Sequence, residues 1–443
     1  MTKRLFGTDG VRGVANRDLT PELALRLGRA AGHVLGGPGN QIVIGRDTRR
    51  SGRMLESALA AGLCSVGVDV RLVGHLPTPG LAYLARTGDA VAGAVISASH
   101  NPALDNGIKF FDRRGLKLAD AVEDEIEAGM RDDGALPRPT EGGIGLIGDA
   151  RGLVKEYEDF LAADAPRLDG LRVALDCANG ATYRVAPAVM ARAGAEVLTF
   201  FDAPDGRNIN EGCGSTSPEA LQRAVVARGA AIGFAFDGDG DRVMAVDHTG
   251  ALHDGDTILA IAARHAARNG GLAPKVVVGT VMSNAGLEAT LGRDGIALVR
   301  AAVGDRNVWE KLEELDAALG GEPSGHLIFR HRSPAGDGIL AALELLRVVV
   351  REGSTLAELA RDVDRWPQVH RNVRVERRRA WRESPGFYAA YERVERQLGG
   401  EGRLIVRASG TEPVLRITVE ARDATVASSS ATFLESAAKE HLG

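Results

Sequence analysis

Along the chain, apolar residues fall into two alternating kinds of segment: stretches with helical spacing, and short continuous runs that read as buried strands. Thr20 can cap a helix with Pro21 at its first position. Leu23, Leu27 and Val34 then recur near helical spacing until Gly36 and Gly37 stop the pattern. The run QIVIG follows at 41–45 as a strand, then a helix over 54–64, a strand VDVRLVG from Val68, a strand AVAGAVIS ending at Ser97 and a strand GIKFFD from Gly107. Helices alternating with short apolar strands predict a mainly parallel sheet.

Residues 137–148 are rich in Gly and Pro and read as a loop, which places the first boundary. A helix over 154–161 leads to strand LRVALD from Leu171, helix VAPAVMARAGA, strand AEVLTFF, a helix from Ser217 and strand AIGFAF, which runs into an acidic motif at Asp237. A third series comprises helix TILAIAARHAAR from Thr257, strand KVVVGTVM, a helix near Gly286, strand IALVRAAVG, helix RNVWEKLEEL, the segment GGEPSGHLIFR and a long helix from Asp337. After Trp366 and Pro367 the chain turns Arg-rich through Arg382, the composition of a solvated linker or edge. The C-terminal unit reads as a strand, helix FYAAYERVERQL, strand RLIVRAS, turn GTEP, strand VLRITVEA and a helix from about Ala424. The expected architecture is three consecutive α/β domains (1–150, 151–252, 253–367) and a smaller C-terminal α+β domain (368–443).

At 443 residues and 44% hydrophobic content, the chain can bury several cores. A net charge of -5 does not favour nucleic acid as a partner. Cys64, Cys177 and Cys213 are odd in number and widely spaced, which argues against a disulfide framework or a structural zinc and for a reducing cytoplasm. No run approaches the roughly 18 uninterrupted apolar residues of a membrane span, and the N-terminal apolar run breaks within a few residues, so neither membrane insertion nor export is expected.

Against this background DGDGDR, 237–242, stands out. Asp237, Asp239 and Asp241 alternate with glycines that let the loop wrap closely, and their mutual repulsion calls for a cation held by hard oxygens, with Mg²⁺ favoured. An EF-hand requires Gly at its sixth position and Glu at its twelfth, where this chain has Arg242 and His248. The segment ISASHNP, 96–102, sets Ser99 and His100 directly after an apolar strand, in a turn placed for chemistry. No GxSxG elbow and no GxxxxGK[ST] loop occurs, so phosphoryl chemistry without a nucleoside triphosphate fits better than acyl transfer or ATP use.

RASGTEP, 407–413, joins Arg407 to Ser409, Gly410 and Thr411 in a turn whose N–H groups can converge on an anion, and Arg416 can return to it if the flanking strands pair. GEPSGH, 321–326, offers Glu322, Ser324 and His326 for sugar hydroxyls. Arg12 in FGTDGVRG and Lys109 in NGIKFF are single basic residues raised above the surface-charge base rate by their surroundings.

Taken together, the serine loop, the three-Asp loop, the sugar loop and the C-terminal phosphate loop, in this order, resemble the α-D-phosphohexomutases. FGTDGVRG, GRDTR at Gly45, NINEGCGSTSPE at Asn208 and VGDRNV at Val303 extend the resemblance over nearly the whole chain. It implies four domains around a central cleft and a phosphosugar substrate. It also implies one Mg²⁺ per site on Ser99, Asp237, Asp239 and Asp241, and a sugar bisphosphate as intermediate and activator. Ser99 carries the phosphoryl group, and Arg12 and Lys109 offset its charge. His100, Lys109 and His326 complete the catalytic set, with Lys109 and His326 as candidates for proton transfer.

Arg242, Gly304, Asp305, Glu322, Ser324, Arg407, Ser409, Gly410, Thr411 and Arg416 are the substrate-binding set implied by the same resemblance. The motifs look most like the branch acting on glucosamine phosphates, with glucosamine 1,6-bisphosphate as intermediate. The branch acting on mannose and glucose phosphates is the alternative. The sugar loop departs from both, since Pro323 stands where the former carries Gln and the latter Met. A homodimer is left open.

Overall fold

The computed structural model describes residues 4–7, 9–409 and 413–443. Helix Pro21–Leu35 begins as its sequence predicts, with the Thr20 hydroxyl accepting from Leu23 N–H at 3.2 Å, and Gly36 caps its far end. The first sheet runs, edge to edge, Val11–Val14, Asp105–Phe111, Ala92–Ile96, Gln41–Arg46, Asp69–His75 and Ile147–Asp149. The last four strands are parallel, whereas Asp105–Phe111 is antiparallel to both its neighbours. The sheet is therefore mixed, and the reversal brings Lys109 opposite Val95, close to the serine loop that leaves Ile96.

Leu27, Ile42, Ile44, Leu55, Leu59, Leu63, Ala94 and Ile96 are fully buried between this sheet and helices Pro21–Leu35 and Gly52–Cys64. Leu59→Ala is expected to cost about 2–5 kcal/mol, the range for a cavity in a close-packed core. Leu146→Ala, at a side chain 72% exposed, should stay within about 0.5 kcal/mol. Urea denaturation followed by circular dichroism separates the two, and equal midpoints would contradict this core.

The second sheet is ordered Leu252–His253, Val243–Asp247, Ile232–Phe236, Arg172–Asp176, Glu196–Phe200. Its parallel strand Ile232–Phe236 delivers the acidic loop at its carboxyl end, where open α/β sheets place ligands. The chain then reverses into Val243–Asp247, pairing antiparallel with the strand it has just left. A third sheet includes Val276–Thr280, Leu319–Gly321 and Leu327–Phe329, and the last two flank the sugar loop as a hairpin.

Among the elements that the hydrophobic pattern does not mark are helices Thr78–Thr87, Asp120–Arg131 and Leu356–Ala360 and strands Val11–Val14, Val243–Asp247 and Ile147–Asp149, the last beginning inside the expected 137–148 loop. Thr78–Thr87 is buried at seven of its ten positions, so it has no polar face to reveal a period. Asp120–Arg131 buries only Glu123, Ile126 and Met130, too sparse a stripe to register.

By contacts, the chain divides into two compact units. One runs up to Met282 and includes Val299–Arg361, and the other comprises Ser283–Leu298 and Asp362–Gly443. In the second unit, strands Gln368–Arg374, Val414–Ala421 and Gly402–Ala408 form an antiparallel sheet in that order. Helices Pro385–Leu398 and Ala424–Leu442 bury Phe387, Val394, Leu434 and Leu442 in a core with sheet residues Leu415, Ile417 and Val419. The Arg-rich segment begins as the edge strand of this sheet, and Trp381 at its end is buried in the same core. Among the described residues no helix is long and apolar enough to cross a membrane.

Candidate active site

Ser99 leaves strand Ala92–Ile96 in a left-handed backbone conformation (φ 52°) that non-glycine residues rarely adopt. It is 1% exposed, and its hydroxyl donates to Asp237 Oδ2 at 2.7 Å. The serine loop and the acidic loop meet so closely that a Cβ on Gly238 would lie 2.6 Å from the Ser99 carbonyl oxygen, so glycine is required there.

Asp237, Asp239 and Asp241 are buried, and each offers a carboxylate oxygen within 4.8 Å of the others. Burial, then the charges of Asp241 and Asp239, push Asp237 well above the usual carboxylate range. Burial also acts against the charge of Asp241, but the His326 hydrogen bond and the charges of His326, Lys109 and Arg242 prevail and hold it low. Asp239 Oδ1 and Asp241 Oδ1 are buried without a hydrogen-bond partner. Orphaned buried carboxylate oxygens beside a repelled third carboxylate fit a divalent cation with oxygen ligands.

A ring of basic and imidazole side chains surrounds this loop. Burial works against the Lys109 charge, but Asp239, Asp241 and Asp9 outweigh it and raise the amine, whose Nζ lies 4.0 Å from Asp239 Oδ2. Lys109 is thus a charge partner of the acidic loop. Burial, reinforced by Arg242 and Arg12, lowers His100, whose Nδ1 lies 3.0 Å from Arg242 Nη1 and 3.2 Å from Ser99 Oγ. Arg12 is paired with Asp9 at 3.5 Å.

His326 is pulled two ways. Burial and a Gly336 N–H aimed at Nε2 (3.2 Å) favour the neutral ring. Asp305 and Asp241, 3.6 and 3.4 Å from its two nitrogens, prevail and raise it to about 9.

The sugar loop is stitched to the acidic loop through the backbone. Arg242 bridges His326, and Val243 N–H donates to the Gly325 carbonyl at 3.1 Å. Gly325, at φ 90°, admits this approach because any Cβ would lie 2.2 Å from Val243 O. Glu322 Oε1 accepts from Gly304 N–H at 3.0 Å, and Ser324 Oγ donates to Glu322 Oε2 at 3.2 Å. Glu322, Ser324, Gly304 and Asp305 therefore converge, with Asp305 in the first turn of helix Asp305–Glu314. A cavity of about 370 Å³ opens beside Lys109, Asp241, Asp305 and His326, with Phe111 and Trp309 among its walls.

In the second unit, Arg407 and Arg416 are directly cross-strand partners, as a returning hairpin requires, and the Ser409 N–H donates to Val414 O at 2.9 Å. Gly410 and Thr411 lie outside the described residues. Cys213, undecided from sequence, is fully buried, and burial pushes its thiol up to about 12, so it is not a reactive thiol.

Sequence reasoning passed over Thr78, whose hydroxyl donates to Asp239 Oδ2 at 2.7 Å and whose N–H donates to Asp239 O at 2.8 Å. It also assigned no role to Asp47, Arg49, Ser97 or Asn210, which lie beneath the serine loop. Thr78 and Asn210 are local signals no different from ordinary turn residues. Asp47 and Arg49 in GRDTR were the available hint, since a short apolar strand runs directly into that motif.

Similarity to known proteins follows the same plan. The chain matches phosphoglucomutase/phosphomannomutase alpha/beta/alpha domain I over residues 3–135, domain II over 154–250, domain III over 254–366 and the C-terminal domain over 371–434. It is 54% identical to phosphoglucosamine mutase of Desulforamulus reducens over 95% of this chain and 96% of that protein. It is 52% identical to phosphoglucosamine mutase of Thermus thermophilus over 95% of this chain and 94% of that protein.

Among solved structures, a phosphoglucomutase/phosphomannomutase family protein from Burkholderia thailandensis has a TM-score of 0.85 at 27% identity, covering 99% of this chain and 98% of that one. Aspergillus fumigatus N-acetylphosphoglucosamine mutase, in complex with GlcNAc-6P and magnesium, shares the fold at a TM-score of 0.68 and 18% identity, covering 98% of this chain and 95% of that one. Matched in all four domains, and at more than half identity to relatives over nearly its whole length, the chain belongs to the phosphoglucomutase/phosphomannomutase family.

Proposed function

We propose that the protein interconverts glucosamine 6-phosphate and glucosamine 1-phosphate through a phosphoserine at Ser99 and a glucosamine 1,6-bisphosphate intermediate. The observation that carries the chemistry is the Ser99 hydroxyl held 2.7 Å from Asp237 within a buried three-carboxylate loop. The sugar is supported by relatives named phosphoglucosamine mutase at 51–54% identity.

In the forward direction the phosphoryl group on Ser99 Oγ passes to O1 of the 6-phosphosugar. The Oγ–P bond breaks, the O1–P bond forms, and the O1 proton leaves to a base. The bisphosphate turns end for end, its O6–P bond breaks as a bond from phosphorus to Ser99 Oγ forms, and O6 takes up a proton in place of the one lost from O1, leaving the 1-phosphate product and a regenerated phosphoserine. Phosphate groups balance across the cycle, so no ATP is consumed.

Asp237, Asp239, Asp241 and the serine's phosphate are proposed to hold one Mg²⁺, which when bound neutralises charge on the transferring phosphoryl group. Lys109 and Arg12 add fixed positive charge, Glu322 and Ser324 offer hydrogen bonds to sugar hydroxyls, and Arg407, Ser409 and Arg416 are proposed to bind the phosphate that is not reacting. A cytoplasmic location agrees with the three buried free cysteines.

The substrate is tested by comparing glucosamine, glucose and mannose 6-phosphates, each with its matching bisphosphate. The expected kcat/KM favours glucosamine by at least ~10-fold, as in a site that hydrogen-bonds one substituent. An equal or greater value on mannose 6-phosphate would favour the phosphomannomutase/phosphoglucomutase alternative. Phosphate release outpacing isomerisation would instead indicate a phosphatase.

A further inference from the structure

The segment 97–104 lacks a regular backbone ladder, yet it must hold Ser99 in a strained left-handed conformation aimed at Asp237. Much of its support comes from one side chain. The Arg49 side chain is 0% exposed and turns both terminal nitrogens of its guanidinium on the carbonyls around this loop. Nε donates to Asp47 Oδ2 at 2.8 Å, Nη1 to the carbonyls of Pro102 and Asp105 (the latter at 3.1 Å), and Nη2 to those of Ser99 and Asn101 at 2.9 and 2.8 Å. A guanidinium has five N–H donors in a rigid fork, and all five are engaged.

Asp47, also 0% exposed, extends the network. It accepts the Ser97 hydroxyl at 2.6 Å, and the Ser97 oxygen in turn accepts the Ser99 N–H at 3.0 Å. From the second sheet's loops, Asn210 Nδ2 donates to the same carbonyls of Ser99 and Asn101 at 2.9 and 3.0 Å. Ser99 is thus gripped at its N–H and its carbonyl while its hydroxyl stays directed at the acidic loop. Arg49 has no donor left for a substrate and no exposed surface to meet one, so it acts only through the loop.

We propose, on the basis of the mutase reading above, that Arg49, Asp47, Ser97 and Asn210 are positioning residues that fix the Ser99 backbone so that its Oγ lies in line for phosphoryl transfer. Their contribution is to kcat, because geometry at the reacting atom matters in the transition state more than in sugar binding.

The test uses Ser97→Ala, which removes the relay hydroxyl, and Asn210→Asp, which sets a carboxylate against two carbonyls from a separate element. Wild type and Ser99→Ala are assayed alongside. Each positioning variant should lose about 10- to 100-fold in kcat on glucosamine 6-phosphate, the scale of a misplacement near 1 Å. KM should stay within about 2-fold, the split expected when transition-state geometry alone is lost. Intact mass should show slower phosphorylation of Ser99 by glucosamine 1,6-bisphosphate, in protein that circular dichroism shows to be folded. Wild-type kcat in both variants with only a lower melting midpoint, or a raised KM at unchanged kcat, overturns the positioning role alone. An inactive wild type or an active Ser99→Ala overturns the mutase reading and this proposal with it.

Discussion

Ser99→Ala is expected to lower the mutase rate by at least ~10²-fold, the order seen when a covalent nucleophile is lost. The hydroxyl is the one group that can take and return the phosphoryl group in the proposed cycle. It is buried and already hydrogen-bonded into the acidic loop at 2.7 Å. His100, the adjacent side chain, cannot substitute. Its Nδ1 lies 3.0 Å from the Arg242 guanidinium, which engages the ring nitrogen's lone pair.

The alanine variant should fold, because the grip of Arg49, Ser97 and Asn210 acts on the backbone of residue 99 and survives loss of the side chain. It should also fail to gain a phosphoryl group from glucosamine 1,6-bisphosphate, whereas the wild type gains one by intact mass. Near-normal turnover, or phosphorylation of the variant at the wild-type rate, would remove Ser99 from the mechanism.

Much of this site is legible in the sequence, because its reactive groups are concentrated in short loops at strand ends. DGDGDR places three carboxylates at alternate positions, and no apolar packing role explains them. The pairing of Arg407 with Arg416 follows from two strands joined by a tight turn and is met in register. What sequence does not reveal is electrostatic balance and support. NGIKFF does not show that Lys109 faces the carboxylates of Asp9, Asp239 and Asp241, which raise its amine. Thr78 and Asn210 matter through partners more than a hundred residues away, at Asp239 and Ser99. Nothing in GRDTR shows that the Arg49 side chain is wholly buried. The helix over Thr78–Thr87 escapes notice for a related reason, since burial on nearly every side erases the polar face that periodicity needs.

Neutralising the acidic loop should separate activity from stability. In a variant carrying Asp237→Asn and Asp239→Asn, mutase activity should fall by at least ~10³-fold, because the oxygens that hold the cation and balance transition-state charge are lost. Folding should not suffer. The three carboxylates lie within 4.8 Å of one another, and burial with mutual repulsion already drives Asp237 towards its protonated form. Asparagine at both positions keeps the shape and removes like charge from a buried site, but at 239 it also takes away the charge partner of Lys109, 4.0 Å off. The melting midpoint in EDTA is therefore expected to stay close to that of the wild type, relief of repulsion being offset by the lost Lys109 pairing.

Adding Mg²⁺ should raise the wild-type midpoint, since a ligand that binds only the folded state stabilises it, and should leave the variant unmoved. Asp241 is left in place in this design because its contact with His326 would confound the readout. Activity retained in EDTA, or an equal Mg²⁺ response in both proteins, would refute the assignment of the cation to this loop.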